Sequence, residues 1–220
     1  RCSKEARNVD YQGLLDKLSR DPMAAGLAGG LLSGLLGGTL GSGKSSKLVK
    51  MGALAAVGGL AYKAWQDYQK KQAGAPIAAA AASPPLSAEG TVFLPRAEDH
   101  AGREALSLRI LQAMIAAAKA DGHIDPAESQ QIFERIGTTE LTAEEKAFLL
   151  DEMGRPLNIE KVVGNVGSPE LAAEIYTASR LVIAEASPAE TAYLQLVAAR
   201  LALPAGMTTE IDRVVAEARK

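Results

Sequence analysis

ADGHIDPAE, residues 120–128, joins two helical patterns and decides how the second half of the chain folds. Before it, Leu106, Ile110 and Met114 recur at the spacing of one helix face. Within it, Asp125-Pro126-Ala127-Glu128 has the chemistry of a helix start, with an oxygen-bearing cap, a proline at the first helical position and a glutamate at the third. The stretch therefore predicts a helix-turn-helix, with one helix over about 103–120 and the next beginning at Asp125.

Three more helix starts follow the same chemistry: Thr142-Ala143-Glu144-Glu145, Ser168-Pro169-Glu170 and Ser187-Pro188-Ala189-Glu190. A last helix is predicted from about Thr208 to Ala218. Aromatic residues make up only 4% of the chain and β-branched runs are few, so helix is favoured over sheet. The prediction is an all-α fold.

The cap at Ser187 lies 62 residues after the cap at Asp125, and each follows an Ala-rich apolar helix. This spacing indicates a duplicated helix-turn-helix. In the second copy Ile183 stands where the first has Asp121, and Ser187 replaces Asp125. Of the acids of the first copy, the second keeps only the one at Glu190.

Asp121, Asp125 and Glu128 match the second half of an EF-hand loop, in which acids supply hard oxygens to a cation. The first half is absent, because Ala117 and Lys119 occupy the positions of its carboxylates. Two interpretations stay open: capping alone, or a weakly bound divalent cation with further acids from a second segment. Asp121 is the residue that capping explains least.

The N-terminal region contains 21 residues without a charge, Met23 to Gly43. This is about the length that a bilayer core requires. Gly26, Gly30, Gly34 and Gly38 recur every fourth residue, a glycine zipper that lets another helix approach closely. The segment predicts membrane association, or self-association through the glycine face. A flexible apolar tail is the alternative.

A second apolar run, Met51 to Tyr62, is too short to span a bilayer and leads into Tyr62, Trp65 and Tyr68 interleaved with lysines. That mixture is typical of a headgroup region, or of an amphipathic helix with a solvated basic face. The prolines of residues 73–99 prevent a long helix. We therefore predict a membrane-associating region at 1–72, an Ala/Pro-rich linker at 73–99 and a helical domain at 100–220.

Several functional classes are disfavoured. With 24 basic and 26 acidic residues, the chain has no global charge that would favour nucleic acid. Residues 38–45 fit the phosphate-loop pattern G-x-x-x-x-G-K-[ST], but a glycine zipper stands where a buried strand is needed, so no nucleotide is expected. Two histidines and one cysteine, Cys2, assemble no credible catalytic constellation, so no catalytic residue or bound cofactor is assigned.

The segment LQAMIAAAKADGHIDPAESQQI, residues 111–132, resembles the TerB-like (tellurite-resistance) superfamily. The glycine-rich N-terminus followed by a Pro/Ala-rich linker is similar to its YebE-type inner-membrane branch, whose function is unknown. The resemblance implies a compact helical domain, an ion site at Asp121, Asp125 and Glu128, and a bacterial inner-membrane protein with its globular domain in the cytoplasm.

Taken together, the sequence predicts a membrane-associated helical interaction module that responds to divalent ions and is linked to envelope or metal stress. Its partner would be the membrane, a second protein, or another copy of the chain. The alternative is a soluble metal-dependent enzyme or sensor that uses the turn at Asp121.

Overall fold

The computed structural model describes residues 9–20, 53–72, 88–120, 141–183 and 186–219. Within these ranges it contains eight α-helices and no named strand, which confirms the all-α prediction. The helices are α1 Tyr11–Arg20, α2 Ala53–Gln72, α3 His100–Ala118, α4 Ala143–Gly154, α5 Ile159–Val163, α6 Pro169–Val182, α7 Pro188–Arg200 and α8 Ala205–Ala218.

Three predicted helix starts are confirmed in their capping chemistry. The hydroxyls of Thr142, Ser168 and Ser187 each accept a hydrogen bond from a backbone N–H three residues later. At Thr142 and Ser187 the glutamate at the third position reaches back to the cap, which completes a capping box. The predicted cap at Asp125 lies outside the described residues.

Two helix predictions need correction. The last helix begins at Ala205 rather than near Thr208, because the chain turns into it directly after Pro204 without a side-chain cap. The short helix α5 was not predicted, since its five residues are too few to show a periodic pattern.

Helix α6 lies at the centre of the fold. Ten of its 14 residues are buried, and it packs against α2, α3 and α8. A helix that is buried on all sides belongs to the middle of a core. The other helices are arranged around it.

Helix α1 is held to three other helices by polar side chains. The carboxylate of Glu104 on α3 accepts hydrogen bonds from the backbone N–H groups of Tyr11 and Gln12 at 2.8 and 3.2 Å. Asp16 accepts from the backbone N–H of Ala53, the first residue of α2, at 3.0 Å. Lys17 donates to Glu145 on α4 at 2.9 Å. These contacts satisfy backbone donors that a helix start leaves open, so α1 is part of the domain.

Helix α2 also packs into the domain, against α8 and α6. Its aromatic residues, which the sequence suggested for a headgroup region, lie against protein instead. The rings of Tyr62 and Trp65 approach the ring of Phe93, with centroids 5.5 and 6.0 Å away. Phe93 itself is buried, although it falls within the predicted linker. The described parts of residues 1–99 therefore contribute to the core around α6.

Among the described residues, no helix combines the length and the apolar character that a membrane crossing requires. Residues 23–43, with the predicted glycine zipper at Gly26, Gly30, Gly34 and Gly38, lie outside the described residues.

Two neighbouring glycines of α2 give opposite predictions. A Cβ at Gly58 would lie 2.4 Å from the carbonyl oxygen of Phe93, whereas one at Gly59 would meet nothing within 4 Å. We expect Gly58→Ala to lower the free energy of unfolding by about 1–3 kcal/mol, because backbone has to move. Gly59→Ala should raise it by about 0.5–1 kcal/mol through helix propensity. Urea unfolding of both variants checks this, and equal effects would contradict the packing.

Candidate functional site

A groove with a cavity volume of about 570 Å³ lies between α3, α4, α5 and α7. Gln112, Ile115, Ala116 and Lys119 of α3 form one wall. The end of α4 and the turn into α5, residues 152–162, form the floor and a second wall, and Leu196 and Arg200 of α7 close it. The volume is within the range of small-molecule sites. We call it the α3–α7 groove.

Its floor is built around one carboxylate. Glu152 is largely buried, with 11% of its side chain exposed, and forms ion pairs with Lys161 and Arg155. The ammonium group of Lys119 donates hydrogen bonds to the backbone carbonyls of Glu152, at 3.1 Å, and Arg155. These carbonyls belong to the end of α4, where a helix has open acceptors. Arg155 also pairs with Asp151 at 2.7 Å, so three cations and two acids lie together at the floor.

The environment of Lys119 lowers the pKa of its ammonium group. Burial lowers its pKa, the carboxylate of Glu152 opposes this, and repulsion from Lys161 lowers it further. A negative charge placed beside Lys119 would stabilise its charged form.

The other side of the groove is apolar. Leu157 and Leu196 are 38% and 43% exposed. In the part of the chain that the structure describes, Val92 is the only other large hydrophobic residue that is exposed to this degree. Two exposed leucines in one groove, next to cations, are typical of a binding surface.

A second unusual group is Glu174, in the middle of α6. Its side chain is completely buried, and neither carboxylate oxygen has a hydrogen-bond partner. It faces α2 at Gly58, where a Cβ would lie 3.3 Å from Oε1. Burial raises the pKa of Glu174 to about 9, so the group is protonated at neutral pH. A neutral, enclosed carboxyl of this kind is a cost to stability.

The predicted metal ligands Asp121, Asp125 and Glu128 lie outside the described residues, as does the turn that holds them. The structure does describe the two residues that stand where an EF-hand would need carboxylates. Ala117 is buried in α3, and Lys119 is engaged with the end of α4. Within the described ranges, no three His, Cys, Asp or Glu residues are grouped so that they could hold a metal ion.

The second copy of the helix-turn-helix uses its glutamate for capping. Glu190 Oε2 accepts a hydrogen bond from the backbone N–H of Ser187 at 2.8 Å. The Ser187 hydroxyl accepts one from the Glu190 N–H at 3.2 Å. One oxygen of Glu190 is thus committed to the helix start.

The α3–α7 groove was not predicted from the sequence. Its residues come from segments up to 88 positions apart, Gln112 to Arg200, and no local spacing connects them. The sequence offers one local indication of the groove. Leu157 is an apolar residue in the turn after Arg155 and Pro156, where a polar residue would be usual.

Comparison with known families assigns the chain to a group without a described function. Residues 22–215 match the model of DUF533, a family of proteins of unknown function, so the chain belongs to this family. The match includes both the glycine-rich segment and nearly all of the helical domain. No curated protein and no solved structure matches the chain.

The raised pKa of Glu174 predicts a pH-dependent stability. The folded pKa, about 9, lies above the ordinary value of 4.5, so the native state retains a proton that the unfolded chain loses. Stability from this group is complete below pH 4.5 and falls by about 1.4 kcal/mol per pH unit as the pH rises toward 9. Glu174→Gln should therefore become progressively more stable than the native chain between pH 5 and 8.

Urea unfolding of both chains at several pH values measures this difference. Glu98→Gln is the control, because Glu98 is exposed and should leave the pH profile unchanged. Parallel profiles for Glu174→Gln and the native chain would contradict the assignment.

Proposed function

We propose that this DUF533 member is a membrane-associated helical interaction module without catalytic chemistry of its own. In this proposal the helical domain is held at the membrane by the glycine-rich segment at 23–43 and presents the α3–α7 groove to a ligand or partner. The observation that carries it is the hydrogen bond from the Ala53 N–H to Asp16, which brings the two ends of residues 21–52 together.

This contact restricts how the segment enters a bilayer. Residues 23–43 as a helix would be about 32 Å long, close to the thickness of the hydrocarbon core. A single crossing would leave residues 44–52 to return through it, fully extended, with Lys44, Lys47 and Lys50 in the hydrocarbon. Both ends are fixed to one domain, so we propose that the segment enters and leaves on the same side.

Such a segment would lie in the interface or form a hairpin. Gly26, Gly30, Gly34 and Gly38 would then contact another helix, from the same segment or from a second copy of the chain. The resemblance to the YebE-type branch of the TerB-like superfamily supports the bacterial inner membrane as the location, with the helical domain in the cytoplasm.

Labelling from one side of the membrane tests this arrangement. In a Cys2→Ser background, Asp21→Cys and Gly52→Cys place single thiols at the two ends of the segment. We expect both to react with an impermeant maleimide from the same side of sealed vesicles, because Asp16 and Ala53 hold the ends together. Labelling from opposite sides would show a spanning segment and contradict the proposal.

Fractionation tests the association itself. The full chain should be recovered with membranes, and Leu31→Asp with Leu35→Asp should release it, because two carboxylates are costly in an apolar environment. Val92→Asp introduces a carboxylate at an exposed hydrophobic residue outside the groove, so it is the control and should stay with membranes. Recovery of the full chain from the soluble fraction alone would overturn the membrane role.

We further propose that the turn at Asp121, Asp125 and Glu128 binds a divalent cation weakly. It follows Lys119 by two residues, so an ion bound there would lie close in sequence to the floor of the groove. The second copy supports a limited ligand set, because Glu190, which corresponds to Glu128, uses an oxygen for capping.

Calorimetric titration of the full chain with calcium, magnesium and manganese tests the ion site. We expect millimolar or submillimolar binding by the native chain and at least a tenfold loss in Asp121→Ala, because Asp121 is the acid that capping does not need. Glu98→Ala, an exposed acid outside the turn, should bind like the native chain. Absence of heat for all three ions would leave the turn a purely structural element.

A further inference from the structure

The floor of the α3–α7 groove has more positive than negative charge. Three cations, Lys119, Arg155 and Lys161, lie beside two carboxylates: Glu152 pairs with Lys161 and Arg155, and Asp151 pairs with Arg155 at 2.7 Å. Farther along, Arg200 pairs with Glu160 at 2.6 Å, so that end is balanced. The excess at the floor contrasts with the net charge of −2 for the whole chain. It is a local anion-attracting site rather than a property of the surface in general.

The excess charge meets an apolar wall. Leu157 follows Arg155 by two residues in the turn between α4 and α5, and Leu196 of α7 also lines the groove. Ile115 and Ile159 are half-buried and continue this wall toward the core. A ligand that fills the groove therefore contacts guanidinium and ammonium groups at one end and aliphatic carbon along its length.

We propose that the α3–α7 groove binds a small amphiphilic anion, a molecule that carries one carboxylate or phosphate group on an apolar chain. The anion lies at Lys119 and Arg155, and the chain lies between Leu157 and Leu196. The cavity of about 570 Å³ has the size of a site for one such molecule.

Neither an inorganic anion nor a neutral hydrocarbon matches both the charged and the apolar parts of the groove. An inorganic anion would neutralise the floor but leave both leucines in water, and the arginine and lysines already have protein partners that weaken the attraction. A neutral hydrocarbon would cover the leucines but bring apolar atoms against the cations, which disfavours it. A ligand with both parts satisfies the two walls together.

Three ligands of related structure separate these contributions. Decanoate, below its micellar concentration, is titrated into the full chain by calorimetry, beside decanol and acetate. We expect decanoate to bind at least tenfold more tightly than either, because only decanoate has both the charge and the chain. A titration with decyl phosphate, compared with the decanoate titration, shows whether the groove prefers a phosphate or a carboxylate. No binding of decanoate at millimolar concentration, or equal binding of decanol, would overturn the proposal.

Variants locate the site on the protein. Leu196→Ser and Arg155→Gln change exposed side chains of the groove, so they should fold normally and weaken decanoate binding at least fivefold. Val92→Ser is the matched control, since Val92 is an exposed hydrophobic residue, 66% accessible, that does not line the groove. If Val92→Ser weakened binding as much as Leu196→Ser, the ligand would be binding apolar surface without selectivity. The test does not depend on membrane association, because it compares variants inside and outside the groove on the same full chain.

Discussion

The close approach of α2 to the backbone of Phe93 is the contact on which much of this core depends. Gly58 has no side chain at the point where a Cβ would lie 2.4 Å from the Phe93 carbonyl. The missing atom lets the segment that contains Phe93 lie flat on α2, so that Tyr62 and Trp65 enclose its ring. The same glycine lies over the buried carboxyl of Glu174, which ties α2 to the central helix α6. The tight contact between Gly58 and the Phe93 backbone therefore lies next to a buried carboxyl, Glu174, that has no hydrogen-bond partner.

The polar contacts of α1 have a consequence beyond stability. Glu104, Asp16 and Lys17 connect the first described helix to α3, α2 and α4. Backbone donors at the starts of α1 and α2 are satisfied by carboxylates from elsewhere in the chain, which orients both helices. Because α1 and α2 are fixed to each other, whatever lies between residues 20 and 53 must begin and end at one place on the domain.

The polar floor of the groove arises from ordinary helix chemistry. The end of α4 leaves backbone carbonyls without helical partners, and Lys119 from α3 fills that role. The three positive charges of Lys119, Lys161 and Arg155 exceed by one the negative charges of Glu152 and Asp151. Two exposed leucines line the same groove as this excess charge. Leu157 lies in the turn between α4 and α5, and Leu196 lies on α7. In the sequence, Lys119 precedes Asp121 of the proposed ion site by two residues.

Much of the helical content could be derived from the sequence because capping is local. Thr142, Ser168 and Ser187 act on backbone groups three residues away, and their pattern is therefore visible in a short stretch of chain. The buried residues of α1, Leu14, Leu15 and Leu18, likewise follow helical spacing. The candidate metal ligands and the glycine zipper remain sequence predictions, since both lie outside the described residues.

What tertiary structure decided is which apolar and charged residues face one another. Tyr62 and Trp65 have the composition of a membrane interface, yet they pack on Phe93, because burial depends on a partner more than 20 residues away. Glu174 looks like any helical glutamate in the sequence, and only the packing of α2 over α6 encloses it. The groove joins four helices whose spacing carries no local signal. Helix starts are set within one turn of chain, whereas burial and charge balance are set by segments that meet only when the chain is folded.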